Sequence, residues 1–245
     1  MTFSIAARCP RTGALGVATS SKALGAGGLV PYIKAGVGAI ASQSFVNPYL
    51  GYDGLRFLED GLPAERALER LVESDQGRKL RQVGIVDKGG RVAAYTGERC
   101  IDWAGHVAGG GYLCLGNILV GEDVVKAMAQ AFEYSLDDDV PERLMQALEA
   151  GQEAGGDRRG RQSAGLQVYT TEEYPIIDLR VDDHPDPVPE LRRVFGVWMA
   201  EESDWLRMIP TREDFTPHWE EVVRLREMVE EDLLETASGN AGKES

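Results

Sequence analysis

Residues 1–22 read MTFSIAARCPRTGALGVATSSK, and the way this stretch folds back on itself decides the architecture. Residues 2–9 and 14–21 are small, β-branched or aromatic with no helical period, and the turn formers Pro10, Arg11, Thr12 and Gly13 separate them. The stretch therefore reads as an antiparallel hairpin. Alternate residues of a strand share a face. Thr2, Ser4 and Ala6 lie on one side, and Phe3, Ile5 and Ala7 on the other. A four-residue loop at 10–13 puts Thr2 opposite Ser21 and Ser4 opposite Thr19, which gathers four hydroxyls on one face. A one-residue slip brings Lys22 there instead.

Outward from the hairpin, pattern types alternate in blocks. Residues 35–45 read as a third strand. Residues 50–73 turn helical, with Ala64, Ala67, Leu68, Leu71 and Val72 at helical spacing and Pro63 placed at a helix start. Strands follow at 81–87 (RQVGIVD), 91–96 and 112–119, helices at 122–135 and 141–151, and strands again at 164–170 and 176–182. Short hairpin turns join most of the strands, so antiparallel sheets covered by helices are expected, an α+β sandwich and not a doubly wound parallel sheet.

Three prolines at 185, 187 and 189 mark a boundary near residue 185. The reading is a domain over 1–185 and an acidic helical extension over 186–245. The extension holds 15 acidic and 7 basic residues. Leu191, Val194, Phe195 and Trp198 fall at helical spacing, as do Trp219, Val222, Val223 and Leu233 with Leu225 and Val229 nearby. Two helices are expected, packed on the main domain or on a second subunit, with residues after about 236 disordered. Trp198, Trp205 and Trp219 suggest self-association, a homo-oligomer with a dimer favoured.

The net charge of −14 argues against a phosphate-binding surface, so no nucleic-acid partner is expected. Small molecules or short peptides fit better as substrates. Cys9, Cys100 and Cys114 form neither a disulfide framework nor a zinc knuckle, and His106, His184 and His218 share no metal-ligand spacing. No metal and no cofactor is expected, since neither a dinucleotide fingerprint nor a P-loop is complete. Without a signal segment or a long apolar run, the reading is cytoplasmic, with no membrane association. No G-x-S-x-G elbow points to a serine triad.

Chemistry centres on the opening residues. Once Met1 is removed, an N-terminal Thr supplies a hydroxyl nucleophile and, in its α-amine of pKa about 7.7–8.0, a general base. The first 55 residues, with RQVGIVD, ERCIDWAGH, GNILVGEDVV and EAGGDRRGRQSAGLQVY, resemble the bacterial domain of unknown function 1028 family, which is grouped with the N-terminal nucleophile (Ntn) hydrolases. The resemblance runs from residue 2 to about 182 and leaves out the acidic extension. It implies a four-layer αββα sandwich of two antiparallel sheets and, at superfamily level, amide-bond hydrolysis.

By the same resemblance Thr2 is the nucleophile. A cation beside its amine comes from Lys34, which precedes AGVGAIASQS as in proteasome-like enzymes, or from Lys22; either is otherwise a solvated loop charge. The oxyanion hole falls in residues 43–47, so Gln43, Ser44 and Asn47, together with Ser4, are candidates for substrate contact. Asp157 and Ser163 resemble the residues that assist the amine, although their spacing within GGDRRGRQSAG is longer than the pattern. Arg158 in the same loop is placed to bind a substrate carboxylate, and Trp103 and His106 to shape the pocket, Trp103 otherwise being core. The expected activity is an amidohydrolase acting through an acyl-enzyme on Thr2. One alternative is a catalytically silent Ntn fold used for ligand binding or assembly; another is an enzyme using an internal hydroxyl such as Ser21 or Ser44.

Overall fold

The hairpin forms as its loop requires. In a computed structural model, which describes residues 2–202, 209–215, 220, 222–224 and 226–229, strand β1 (Thr2–Arg8) pairs with β2 (Leu15–Ser21), and Thr2 stands opposite Ser21 and Ser4 opposite Thr19. Cys9 and Ala14 close the loop through a backbone bond of 2.8 Å, and Gly13 turns the chain at φ +78°, a conformation that glycine adopts without a Cβ penalty.

Both faces of β1 are buried, and that makes the hairpin the centre of the molecule. It lies inside a six-stranded antiparallel sheet of order β10-β9-β2-β1-β8-β7, with β7 at Gly105–Gly109, β8 at Tyr112–Gly116, β9 at Ser163–Tyr169 and β10 at Ile177–Val181. A second sheet has four strands: β3 (Pro31–Lys34), β4 (Gly38–Ser44), β5 (Arg81–Asp87) and β6 (Val92–Thr96). Ala6, Leu15, Val17, Leu113 and Leu115 of the first sheet meet Ala39, Ala41 and Val86 of the second in one core.

Helices α1 (Pro48–Glu59) and α2 (Ala64–Ser74) cover the four-stranded sheet, and α3 (Asp123–Tyr134) and α4 (Val140–Glu153) cover the six-stranded one. The protein is thus an α+β four-layer αββα sandwich. Helix α1 sits close enough to Tyr32 that a Cβ on Gly51 would fall 2.1 Å from the ring, so only glycine is accommodated there.

Asp87 ties the second sheet to α2. Its carboxylate accepts from the Ala64 amide at the start of that helix (3.3 Å), from the Gly89 amide (2.8 Å) and from Arg91 Nε (2.6 Å). Burial would raise this carboxyl, but the hydrogen bonds from Arg91, Gly89 and Ala64 outweigh it and hold the pKa below the ordinary carboxylate value. A depressed carboxylate contributes stability that is present above its unfolded pKa of about 3.9 and is lost as pH falls through the folded value. Asp87→Asn should therefore cost about 1–3 kcal/mol at pH 7. Urea melts from pH 7 downward check this: the gap between wild type and variant should narrow as pH falls below about 3.9, and a gap that stays constant refutes the role of the charge.

Three expectations need correction. The strand read at 35–45 is β4 (Gly38–Ser44), and β3 (Pro31–Lys34) before it was missed; Gly36 turns the chain at φ +66° between the two. Strand β7 was missed: it is a glycine-containing edge strand, partly exposed along its length, so it carries no apolar alternation. The boundary lies later than 185. Helix α5 (Pro187–Val197) buries Pro187, Val188, Leu191 and Phe195, and Arg192 joins Glu149 (2.7 Å) and Glu142 (2.6 Å) of α4. One compact unit accordingly spans 1–196 and a second 197–245. In the second unit residues 222–224 and 226–229 are helical. Trp205, Trp219, Leu225, Leu233 and the tail after 236 lie outside the described residues.

Candidate functional site

Thr2 occupies the end of a central strand, between β2 and β8, with only 3% of its surface exposed. Its Oγ1 is 3.2 Å from Ser21 Oγ. Two residues on, Ser4 donates to Gln43 Oε1 of β4 at 2.7 Å, and its hydroxyl is 2.8 Å from that of Thr19. The hydroxyl face of β1 therefore looks across to the second sheet, and Phe3 and Ile5 point toward the α3–α4 layer, where Gly151 and Gly156 approach the Phe3 ring.

Behind the hydroxyls stands a buried amide cluster. Gln43 and Gln82 are paired across β4 and β5, and Asn117 follows β8. Gln43 Nε2 donates to Thr2 O (3.2 Å) and to Gln82 Oε1 (2.8 Å). Gln82 Nε2 donates to Gly116 O (2.8 Å), Gly105 O (3.1 Å) and Thr96 Oγ1 (3.0 Å). Asn117 Nδ2 completes the set on Gln82 Oε1 at 2.9 Å. The Thr2 carbonyl also accepts the Asn117 amide at 3.0 Å. Buried amides linked in this way hold the strand end in one position, because any displacement strands several polar groups out of water.

Among the described residues, Ser44 (φ +70°) and Ile118 (φ +50°) are the non-glycine residues with positive φ. Each follows an amide that holds Thr2 O, Gln43 in one case and Asn117 in the other. A β-branched residue in this region is an outlier that the surrounding structure must enforce, and such strain concentrates at functional sites. The network extends to His106, whose Nδ1 is 3.2 Å from Thr96 Oγ1. Although His106 lies on an exposed edge strand, desolvation of its ring lowers its pKa and favours the neutral form. Trp103 is half-buried beside Gly105.

The residues singled out from the sequence divide into three groups. Thr2, Ser4, Ser21 and Gln43 meet in the cluster, but Gln43 is fully buried and braces the two sheets. At the rim, the Lys22 amide donates to Asp157 Oδ2 (3.0 Å), the Arg158 amide to Ile118 O (2.9 Å), and the Lys22 and Arg158 side chains are exposed. Asp157 is itself held by Arg159 Nη2 at 2.7 Å. The third group is committed elsewhere. Ser163 donates to Ala23 O (2.6 Å), accepts from the Ala26 amide (3.1 Å) and stands opposite Ser21, two strand spacings or roughly 10 Å from Thr2.

Asn47 caps α1 by accepting from the Tyr49 amide (3.1 Å), and the Phe45 amide of the expected oxyanion segment donates to Leu80 O (3.2 Å). Ser44 is half-buried next to Gln43. Lys34 does not approach Thr2: it pairs with Gly38 at the far end of β4, roughly 16 Å along the strand from Gln43, and binds Glu59.

Gln82 and Asn117 were missed. The available signal was a glutamine directly before the apolar run VGIV in RQVGIVD. Among the described residues, no three or more His, Cys, Asp or Glu side chains are grouped to hold a metal ion, and no helix is long and apolar enough to cross a membrane.

Among solved structures, the chain is similar to protein SPO2555 from Silicibacter pomeroyi, at 34% identity and a TM-score of 0.81 over 88% of this chain and 98% of that one. Weaker likenesses are to Anbu from Yersinia bercovieri (13% identity, TM-score 0.39, 81% of this chain and 95% of that one) and to HslV from Trypanosoma brucei (13%, 0.41, 69% and 99%). At those scores neither bears on function. No curated protein matches the sequence. The match of a family model to residues 2–191, together with the SPO2555 similarity, shows that the chain belongs to DUF1028, a family of unknown function.

Proposed function

We propose that this protein is an N-terminal-nucleophile amidohydrolase, in which removal of Met1 frees Thr2 to cleave a small amide or peptide-like bond. One observation carries the reading: a threonine hydroxyl at the second residue of the chain is buried at the end of a central strand, beside Ser21 and in front of a buried amide cluster. The neutral α-amine takes the Oγ1 proton as the oxygen attacks the carbonyl carbon. The tetrahedral intermediate collapses, the C–N bond breaks, and the proton passes to the leaving amine. Water then attacks the acyl ester, delivers hydroxide to the acyl carbon and returns a proton to Thr2. Lys22, directly after Ser21, is the candidate cation at the rim.

A second reading, a silent fold used for ligand binding, is favoured by the commitments of the auxiliary residues. Lys34 is bound to Glu59, Asp157 to Arg159, and Ser163 to the loop after β2. Intact-mass measurement separates the two readings. The hydrolase is expected to be lighter than the translated chain by one methionine, and incubation with activated acyl-amides is expected to leave an acyl adduct on the N-terminal peptide. A retained Met1 blocks the amine and sinks the mechanism.

A further inference from the structure

We infer that the Asn117 side-chain carbonyl is the acceptor that positions the α-amine of Thr2, an inference that rests on Thr2 being the N-terminal residue. Among the described residues, two buried side-chain polar atoms have no hydrogen-bond partner, Arg143 Nε and Asn117 Oδ1. Arg143 lies against the Phe132 ring and donates through Nη2 to Phe132 O at 2.8 Å, remote from Thr2 in the α3–α4 layer. Asn117 is fully buried next to Thr2. A buried carbonyl oxygen without a donor forfeits the hydration it had in the unfolded chain, so its persistence asks for an explanation.

The amide orientation of Asn117 follows from its neighbours. Gln82 spends its Nε2 on the carbonyls of Gly105 and Gly116, so its Oε1 must face the donors Gln43 Nε2 and Asn117 Nδ2. Asn117 Oδ1 is thereby turned away from Gln82.

The ladder supplies the missing donor. Phe3 pairs with Gly116, so Thr2 stands opposite Asn117, and the Asn117 amide donates to Thr2 O at 3.0 Å. In an antiparallel strand the N–H and C=O of one residue point to the same side. Thr2 N is therefore directed at Asn117, while Thr2 Oγ1 turns to Ser21 on the opposite flank. An amide nitrogen at position 2 has one N–H. A primary amine, once Met1 is gone, has at least one more, and Asn117 Oδ1 is the acceptor on its side. With one N–H held by the side-chain oxygen of Asn117, the lone pair of the neutral amine is free to accept the Oγ1 proton. Asn117 is thus a positioning residue: it aims the base without touching substrate.

Two arms test this. In a crystal structure of the processed wild-type protein, the Thr2 α-nitrogen should lie within about 3.2 Å of Asn117 Oδ1. A separation beyond about 3.5 Å, or a water on Oδ1 in its place, overturns the inference and needs no variant to do so. In the second arm the α-amine is titrated by following the pH dependence of its acetylation with acetic anhydride, read by mass on the N-terminal peptide. An acceptor favours the ammonium form, so Asn117→Leu should lower the amine pKa by roughly half a unit, an about threefold gain in neutral amine near pH 7, and Asn117→Asp should raise it by about one unit. Unshifted titration in a folded variant overturns the role of Asn117 and leaves Thr2 as nucleophile. Met1 found on the wild-type protein overturns both together.

Discussion

Thr2→Ala is expected to lower turnover of acyl-p-nitroanilides and related acyl-amides by about 1,000-fold or more, while Thr2→Ser retains measurable activity. Alanine is also small enough for Met1 to be removed, so the variant keeps the α-amine and loses only the nucleophile. The fold should survive: the lost contact is one hydrogen bond, Thr2 Oγ1 to Ser21 Oγ, worth about 1 kcal/mol and a Tm shift of roughly 2–4 °C. Activity and stability are therefore read apart. Wild-type acylation should rise with pH as the α-amine loses its proton, since the base must be neutral to accept the hydroxyl proton. Equal turnover in the alanine protein, with Met1 removed from both, would return the site to ligand binding.

The largest effect on stability is expected at Gln82. Its side chain is fully buried and joins five partners on four segments: Gln43, Thr96, Gly105, Gly116 and Asn117. Gln82→Ala withdraws two donors and one acceptor together, so the carbonyls of Gly105 and Gly116 and the side-chain amides of Gln43 and Asn117 each lose a partner. A penalty of about 3 kcal/mol is expected, a fall in Tm of roughly 6–12 °C, mostly from groups left unpaired and not from the bonds removed. Chemical denaturation of the two proteins measures it. A loss under about 1 kcal/mol would mean that the cluster is readily rehydrated and does not hold the strand end. Because Gln43 binds both Gln82 and Thr2 O, this variant should also loosen Thr2, and amide exchange in β1 should accelerate.

Much of the architecture was legible because it is written in local chemistry. The turn formers at 10–13 select a loop length, and that length sets the pairing of Thr2 with Ser21. Apolar residues at helical spacing marked α2, and Ala64, Ala67, Leu68 and Leu71 of that set form its buried face. Where local signals were weak, the reading failed. Strand β7 is an edge strand with little apolar content, and the proline cluster taken as a boundary opens α5, the helix expected from Leu191, Val194 and Phe195, which Leu191, Phe195 and Arg192 fasten to the main unit.

At the site, sequence order and spatial neighbourhood part company. Lys34 stands before β4 in the sequence, but the β3–β4 hairpin turns it to the far end of the sheet, and Glu59 neutralises it there. Asp157 and Ser163 fall near the right strand but spend their oxygens on Arg159, Lys22, Ala23 and Ala26. By itself the sequence determined the strand alternation that puts the Thr2 and Ser4 hydroxyls on one face and Phe3 and Ile5 on the other, since that depends only on the two-residue period of a strand. Only the tertiary structure decided what meets those hydroxyls. Gln43 and Gln82 come from two strands and Asn117 from the turn after β8, far apart in the chain, and a buried hydrogen-bond network depends on distances that no spacing along the sequence encodes.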